Sequence, residues 1–140
     1  MDIHNRLARE IVDASYRLHT KIGPGLLESV YETILSHELN RKGINFTRQQ
    51  PVPIIYDGIQ FDEGFRADII VENMIILELK SVEKISRTHK KQLLTYLKLT
   101  GMRPGLLINF GEALIKDGIS RVVKQIIIPV QSAFLAALRL

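Results

Sequence analysis

Asp68, Glu78 and Lys80 stand where hydrophobic patterning would not place them. Asp68 interrupts the apolar run 65–71, and Glu78-Leu79-Lys80 closes the run Met74-Ile75-Ile76-Leu77. Side chains of an extended chain alternate between faces, so Glu78 and Lys80 project together, about 6.5 Å apart, while Leu79 points into the core. Register decides whether Asp68 joins them. If Glu72-Asn73 is a two-residue turn, Val71 faces Met74 and Asp68 falls on the wrong face. If the loop is one residue longer, with Asn73 left-handed, Val71 faces Ile75 and Asp68 faces Glu78. Asparagine tolerates that conformation, and this is the expected register. Two carboxylates then converge within reach of one Mg²⁺ or Mn²⁺, with waters and a substrate phosphate completing the shell. A lysine beside them can orient an attacking water, so the chemistry expected is metal-assisted phosphodiester hydrolysis. An ion pair on a sheet face and a solvated strand end are the plainer readings of the same residues.

The charge distribution bears on the partner. Up to Leu79 there are 8 Lys/Arg against 12 Asp/Glu; from Lys80 onward there are 11 against 3, within a net charge of +4. A basic surface favours a polyanion such as nucleic acid. Lys84, Arg87, His89, Lys90 and Lys91 gather around the start of the helix after Lys80. Beside a phosphodiester site Lys84, Arg87, Lys90 and Lys91 are candidate substrate-binding residues, although a solvated helix face has the same look. The acids Glu10, Asp13, Glu32 and Glu38 read as ordinary surface.

Helices and strands must position these groups. Leu7, Ile11, Ala14, Leu18 and Ile22 recur at helical spacing, and Gly23-Pro24-Gly25 stops that helix. Its stripe could serve as a dimer seam. A second helix is expected over 26–42, with Leu27, Val30, Tyr31, Ile34, Leu35 and Leu39 on its buried face. Residues 46–52 carry Pro51 and suit an edge strand, and 54–61 reads as a hairpin about Asp57-Gly58. Strands 65–71 and 74–80 follow. Ser86 caps a helix running to Thr100, and then come a buried strand at 105–110 and another over 119–128. Residues 132–140 suit a short docking helix. The order predicts an α/β fold with a mixed sheet, antiparallel hairpins first and a helical crossover bringing in a parallel strand.

Length and composition bound the rest. The 140 residues, 46% hydrophobic and 24% charged, suit a single globular domain over 1–140. The absence of cysteine excludes disulfides, thiolate metal sites and a cysteine nucleophile. There is no membrane-length apolar run and no signal-peptide pattern, so cytoplasm is the expected compartment. His4, His19, His37 and His89 lack metal-ligand spacing and are expected at the surface. Gly23-Pro24-Gly25 lacks the lysine of a phosphate-binding loop, which argues against ATP. Arg66 is expected on the face opposite Asp68.

Ala67-Asp68, Glu78-Leu79-Lys80 and then Gln92-Leu93-Leu94-Thr95-Tyr96 together resemble the PD-(D/E)XK nuclease superfamily, and Gln-x-x-x-Tyr resembles its RecB-like branch. Gly25-Leu26-Leu27-Glu28-Ser29-Val30-Tyr31 is similar to the signature of the G-x-x-E-x-x-Y group placed there. The segment Gly105-Leu106-Leu107-Ile108-Asn109-Phe110-Gly111 also looks like that group, and the likeness spans about residues 5–125. Ala67 stands where the superfamily name has proline. The resemblance implies a restriction-endonuclease-like αβββαβ core and a magnesium- or manganese-dependent nuclease. It implies Asp68 and Glu78 as metal ligands with the Leu79 carbonyl as a third, and Lys80 as the residue that activates water. It further implies Glu28 as an added carboxylate for the metal or its surroundings, and Gln92 and Tyr96 as residues bracing the site and meeting substrate. So small a nuclease invites a homodimer or a partner protein that supplies specificity. The alternative is a non-catalytic nucleic-acid-binding or assembly module that keeps the fold. A weaker reading is a structural protein whose acids are merely ion-paired.

Overall fold

A computed structural model of the protein describes residues 2–124. The expected strand at 119–128 is described to Val123, and the expected helix at 132–140 lies outside the described residues. Helices α1 (Ile3–Ile22) and α2 (Glu28–Arg41) precede strands β1 (Phe46–Tyr56), β2 (Ile59–Val71) and β3 (Ile75–Lys80). Then come α3 (Arg87–Thr100), β4 (Pro104–Asn109), a 3-10 turn (Ile115–Asp117) and β5 (Ile119–Val123). The five strands lie in sequence order, antiparallel except for the β3–β4 pair, which α3 connects as a parallel crossover. This is the expected α/β class with a mixed sheet flanked by helices.

Two apolar layers hold the sheet. Leu7, Ile11, Ala14 and Leu18 of α1 and Tyr31, Leu35 and Leu39 of α2 pack with Ile69, Val71, Ile75, Leu77, Leu79, Leu106 and Ile108. The α1 stripe is spent inside this core, so the expected dimer seam is not available; only Ile22 of the set is exposed. On the other face Ala67, Ile70, Ile76 and Leu107 meet Leu93 and Leu97 of α3. Ser86 accepts the His89 N–H and the His89 ring accepts the Ser86 N–H, and this reciprocal cap fixes where α3 begins.

The β-hairpin is longer than the alternation suggests. β1 runs unbroken through Pro51 and Pro53 because it is an edge strand, and a bulge between Val52 and Ile54 absorbs Pro53. Gly64 lies opposite: a Cβ there would run into the Val52 carbonyl. Tyr56 pairs with Ile59 around Asp57-Gly58, both at positive φ, as expected of this turn. In α2 the buried face is rotated from expectation. The helix starts at Glu28, leaving Leu27 and Val30 exposed, while Glu32 and Glu38 are buried against Arg48 and against Arg17 and Arg41. Both acids, expected at the surface, therefore carry internal ion pairs. His19 is also buried, its Nε2 3.2 Å from the Phe110 carbonyl.

Candidate active site

β3 is tied to β4 along its length, from Ile76↔Gly105 to Lys80↔Asn109. Its other edge pairs with β2 only at Val71↔Ile75, Ile70↔Ile76 and Ile69↔Leu77. This is the longer-loop register, with Glu72 as well as Asn73 at positive φ. Beyond Leu77 a side chain replaces the backbone ladder: Asp68 Oδ2 accepts the Leu79 N–H at 2.8 Å. The Phe110 N–H donates to the Lys80 carbonyl at 2.8 Å, so Lys80 turns its polar backbone edge to β4. By strand alternation the Leu79 N–H and C=O turn toward β2. Asp68 and the Leu79 carbonyl thus border one gap between the strands.

Glu78 sits beside that gap, 8% exposed, with Oε1 buried and without a hydrogen-bond partner. Burial pushes its carboxyl up to about 9, reinforced by the charge of the neighbouring Asp68. The Asp68 backbone and the charge of Lys80 pull the other way. At neutral pH Glu78 therefore holds a proton. Once both are ionised they are acceptors only, and an unpartnered buried carboxylate is costly. A cation in the gap would supply the missing partner. Two carboxylates and a carbonyl form an all-oxygen donor set of the kind Mg²⁺ and Mn²⁺ prefer, so the residues fit such an ion. Among the described residues no three His, Cys, Asp or Glu side chains are grouped to hold a metal. Glu28 is exposed in the first turn of α2, where it shares a depression with Leu26, Leu27, Ser29 and Ser81.

Lys80 is half-buried and its exit from the sheet is clamped. Asn109, fully buried, accepts the N–H groups of Val82 and Gly111 at 3.0 Å each and donates to the Val82 carbonyl at 2.8 Å. Tyr96 stacks on Phe65, ring centroids 3.6 Å apart. Its hydroxyl is shifted up by burial first and then by the charges of Glu78 and Asp68, which face it from the sheet. Gln92, one turn earlier, is exposed, as are Lys84, Arg87, Lys90 and Lys91. The tyrosine of Glu28-Ser29-Val30-Tyr31 serves the scaffold: it stacks on Phe110 and donates to the Gly23 carbonyl at 2.6 Å, pinning the loop before α2.

Four neighbours escaped the reading of the sequence. Gln49 Nε2 lies 2.6 Å from Glu32 Oε1 and 3.3 Å from Asp68 Oδ1. Arg48 Nε donates to Glu32 Oε2 at 2.9 Å. Arg66, expected on the opposite face, donates to the Gln49 carbonyl at 3.2 Å. The recurrence of Glu32 four residues after Glu28, one helical turn on, was the available signal for Glu32.

Residues 5–122 match the PD-(D/E)XK nuclease superfamily. The chain belongs to that superfamily. The PD-(D/E)XK match covers the Asp68–Glu78–Lys80 strands and α3, and the α/β architecture with its mixed sheet is restriction-endonuclease-like. Nucleases of the PD-(D/E)XK superfamily generally use divalent metals and act on nucleic acid. No curated protein and no solved structure matches the chain significantly. Among the described residues no helix is long and apolar enough to cross a membrane.

Proposed function

We propose that this chain is a magnesium- or manganese-dependent nuclease of the G-x-x-E-x-x-Y group, hydrolysing phosphodiester bonds in nucleic acid. The observation that carries this reading is the buried, unpartnered Glu78 Oε1 beside Asp68 at the point where β2 and β3 part. Asp68, Glu78 and the Leu79 carbonyl would hold the ion, which when bound supplies Lewis-acid activation of the phosphate. Lys80, on the face of Glu78, orients the attacking water and offsets charge on the phosphate. Tyr96 closes the other side of the pair. The basic start of α3 supports a polyanionic substrate. Its first turn holds no acid, and Arg87, Lys90 and Lys91 stand near the end of a helix where the dipole favours anions. Those cations add nothing to helix stability there and suit a phosphate backbone.

Cleavage of single- and double-stranded DNA and RNA with Mg²⁺ or Mn²⁺ tests the proposal. Turnover lost in Lys80→Ala and Glu78→Ala supports it. No turnover on any of the four substrates sinks the catalytic claim and leaves a nucleic-acid-binding module.

A further inference from the structure

Gln49 occupies a backbone conformation that nothing in its residue type favours. It lies mid-strand in β1, between the pairs Arg48↔Ile69 and Gln50↔Ala67, yet its φ is +50°. Left-handed backbone is disfavoured for an L-residue with a long side chain, and such strain persists only where the surroundings over-determine it. Here they do so from three sides. The Gln49 carbonyl accepts from Arg66 Nη1 at 3.2 Å. Its amide nitrogen reaches Glu32 Oε1 at 2.6 Å and Asp68 Oδ1 at 3.3 Å. Glu32 is itself buried on α2 and fixed through its other oxygen by Arg48 at 2.9 Å.

The arrangement distributes donors unequally over Asp68. Oδ2 is held by the Leu79 N–H at 2.8 Å, and Oδ1 is approached by the Gln49 amide at the longer 3.3 Å. Two donors on opposite oxygens fix the plane of a carboxylate while leaving each oxygen a free lone pair. An amide suits this place better than a cation: it orients the carboxylate without neutralising the charge that a metal would need. The two cations nearby are directed elsewhere, Arg48 to Glu32 and Arg66 to the Gln49 carbonyl.

We infer that Gln49 is a positioning residue: its strained backbone delivers one amide to Glu32 and Asp68 together, anchoring the metal-binding carboxylate to α2. The inference rests on the metal-binding reading of Asp68 and Glu78. Outer partners of metal ligands commonly carry a 10–100-fold share of affinity. Two variants separate the amide from the strain. Gln49→Gly removes the amide and accepts a positive φ freely. Gln49→Met removes the amide but keeps a side chain of similar length.

The test is Mn²⁺ titration by calorimetry of the full chain and both variants, with Asp68→Asn as reference. Thermal melts of the metal-free proteins and kcat and KM on nucleic acid accompany it. The expected result is Mn²⁺ affinity lowered about 10–100-fold in both variants, a lowered kcat, an unchanged KM and metal-free melting within a few degrees of the parent. Parent binding that disappears in Asp68→Asn but is within twofold in both Gln49 variants overturns the inference and spares the metal reading. Loss of affinity matched by loss of metal-free stability in both variants makes Gln49 a mere fold residue and also overturns it. A parent with no Asp68-dependent Mn²⁺ binding overturns both.

Discussion

Toward α1 and α2 the sheet presents an unbroken apolar surface, in which Leu77 and Leu79 of β3 are buried beside Leu106 and Ile108 of the parallel strand β4. Toward α3 the same strand starts apolar at Ile76 and then offers Glu78 and Lys80 over a much smaller core. One strand thus gives alternate residues to packing and to the candidate site. Anchoring through Leu77 and Leu79 is what lets the other face carry a carboxylate whose burial is unfavourable. The contrast resembles the usual division between a rigid support and a site that it must hold in place.

The largest expected break in this division is Lys80→Ala. It should lower kcat by about 10²–10⁴-fold, as loss of a positioned proton-handling or water-orienting group does. Its urea midpoint should stay nearly unchanged, measured beside single-turnover cleavage. Leu77→Ala is the mirror experiment. Truncating this fully buried leucine should cost about 2–5 kcal/mol in urea unfolding while leaving kcat per folded molecule within a few-fold.

A smaller effect sharpens the comparison by pH. Glu78 titrates at about 9 in the fold against an ordinary 4.5, so between those values the folded protein keeps a proton that the unfolded chain has lost. Metal-free stability should therefore fall as pH rises through this window, by at most about 1.4 kcal/mol per pH unit. Glu78→Gln should flatten the profile in thermal melts. In the parent, Mn²⁺ must displace the proton, so its affinity should rise with pH over the same window, up to about tenfold per unit. The smallest effect is expected from Ser86→Ala, which removes the cap of α3 at a cost of about 1 kcal/mol in denaturant unfolding, with the metal affinity unchanged.

Local signals read well in this chain. Alternation, turn residues and caps yield the mixed sheet with its helical crossover, the Asp57-Gly58 hairpin, the start of α3 at Ser86 and the pairing of Val71 with Ile75. What stays hidden depends on residues distant in sequence. Glu32 and Glu38 look like surface acids until Arg48 and Arg17 are brought against them. Gln49 is one polar residue among several on an edge strand; its reach to both α2 and Asp68 exists only once the helix lies over the sheet. The Asp68–Glu78 juxtaposition was legible from register, but its means was not: hydrophobic patterning predicts a continued ladder, whereas Asp68 substitutes its side chain for the next backbone rung. Glu28 is matched by motif alone and lies in a depression that reaches Ser81, the residue after Lys80.

The Leu79 amide gives that substitution an experimental use. Its proton lies in a buried segment, yet it is bonded to an ionisable side chain rather than to a peptide carbonyl. Any event that recruits or protonates Asp68 must alter this one N–H while its neighbours, Glu78 and Lys80, remain tied to the β4 backbone. In hydrogen exchange or an amide spectrum, Leu79 is thus an internal reporter on the state of Asp68, placed there by the fold itself.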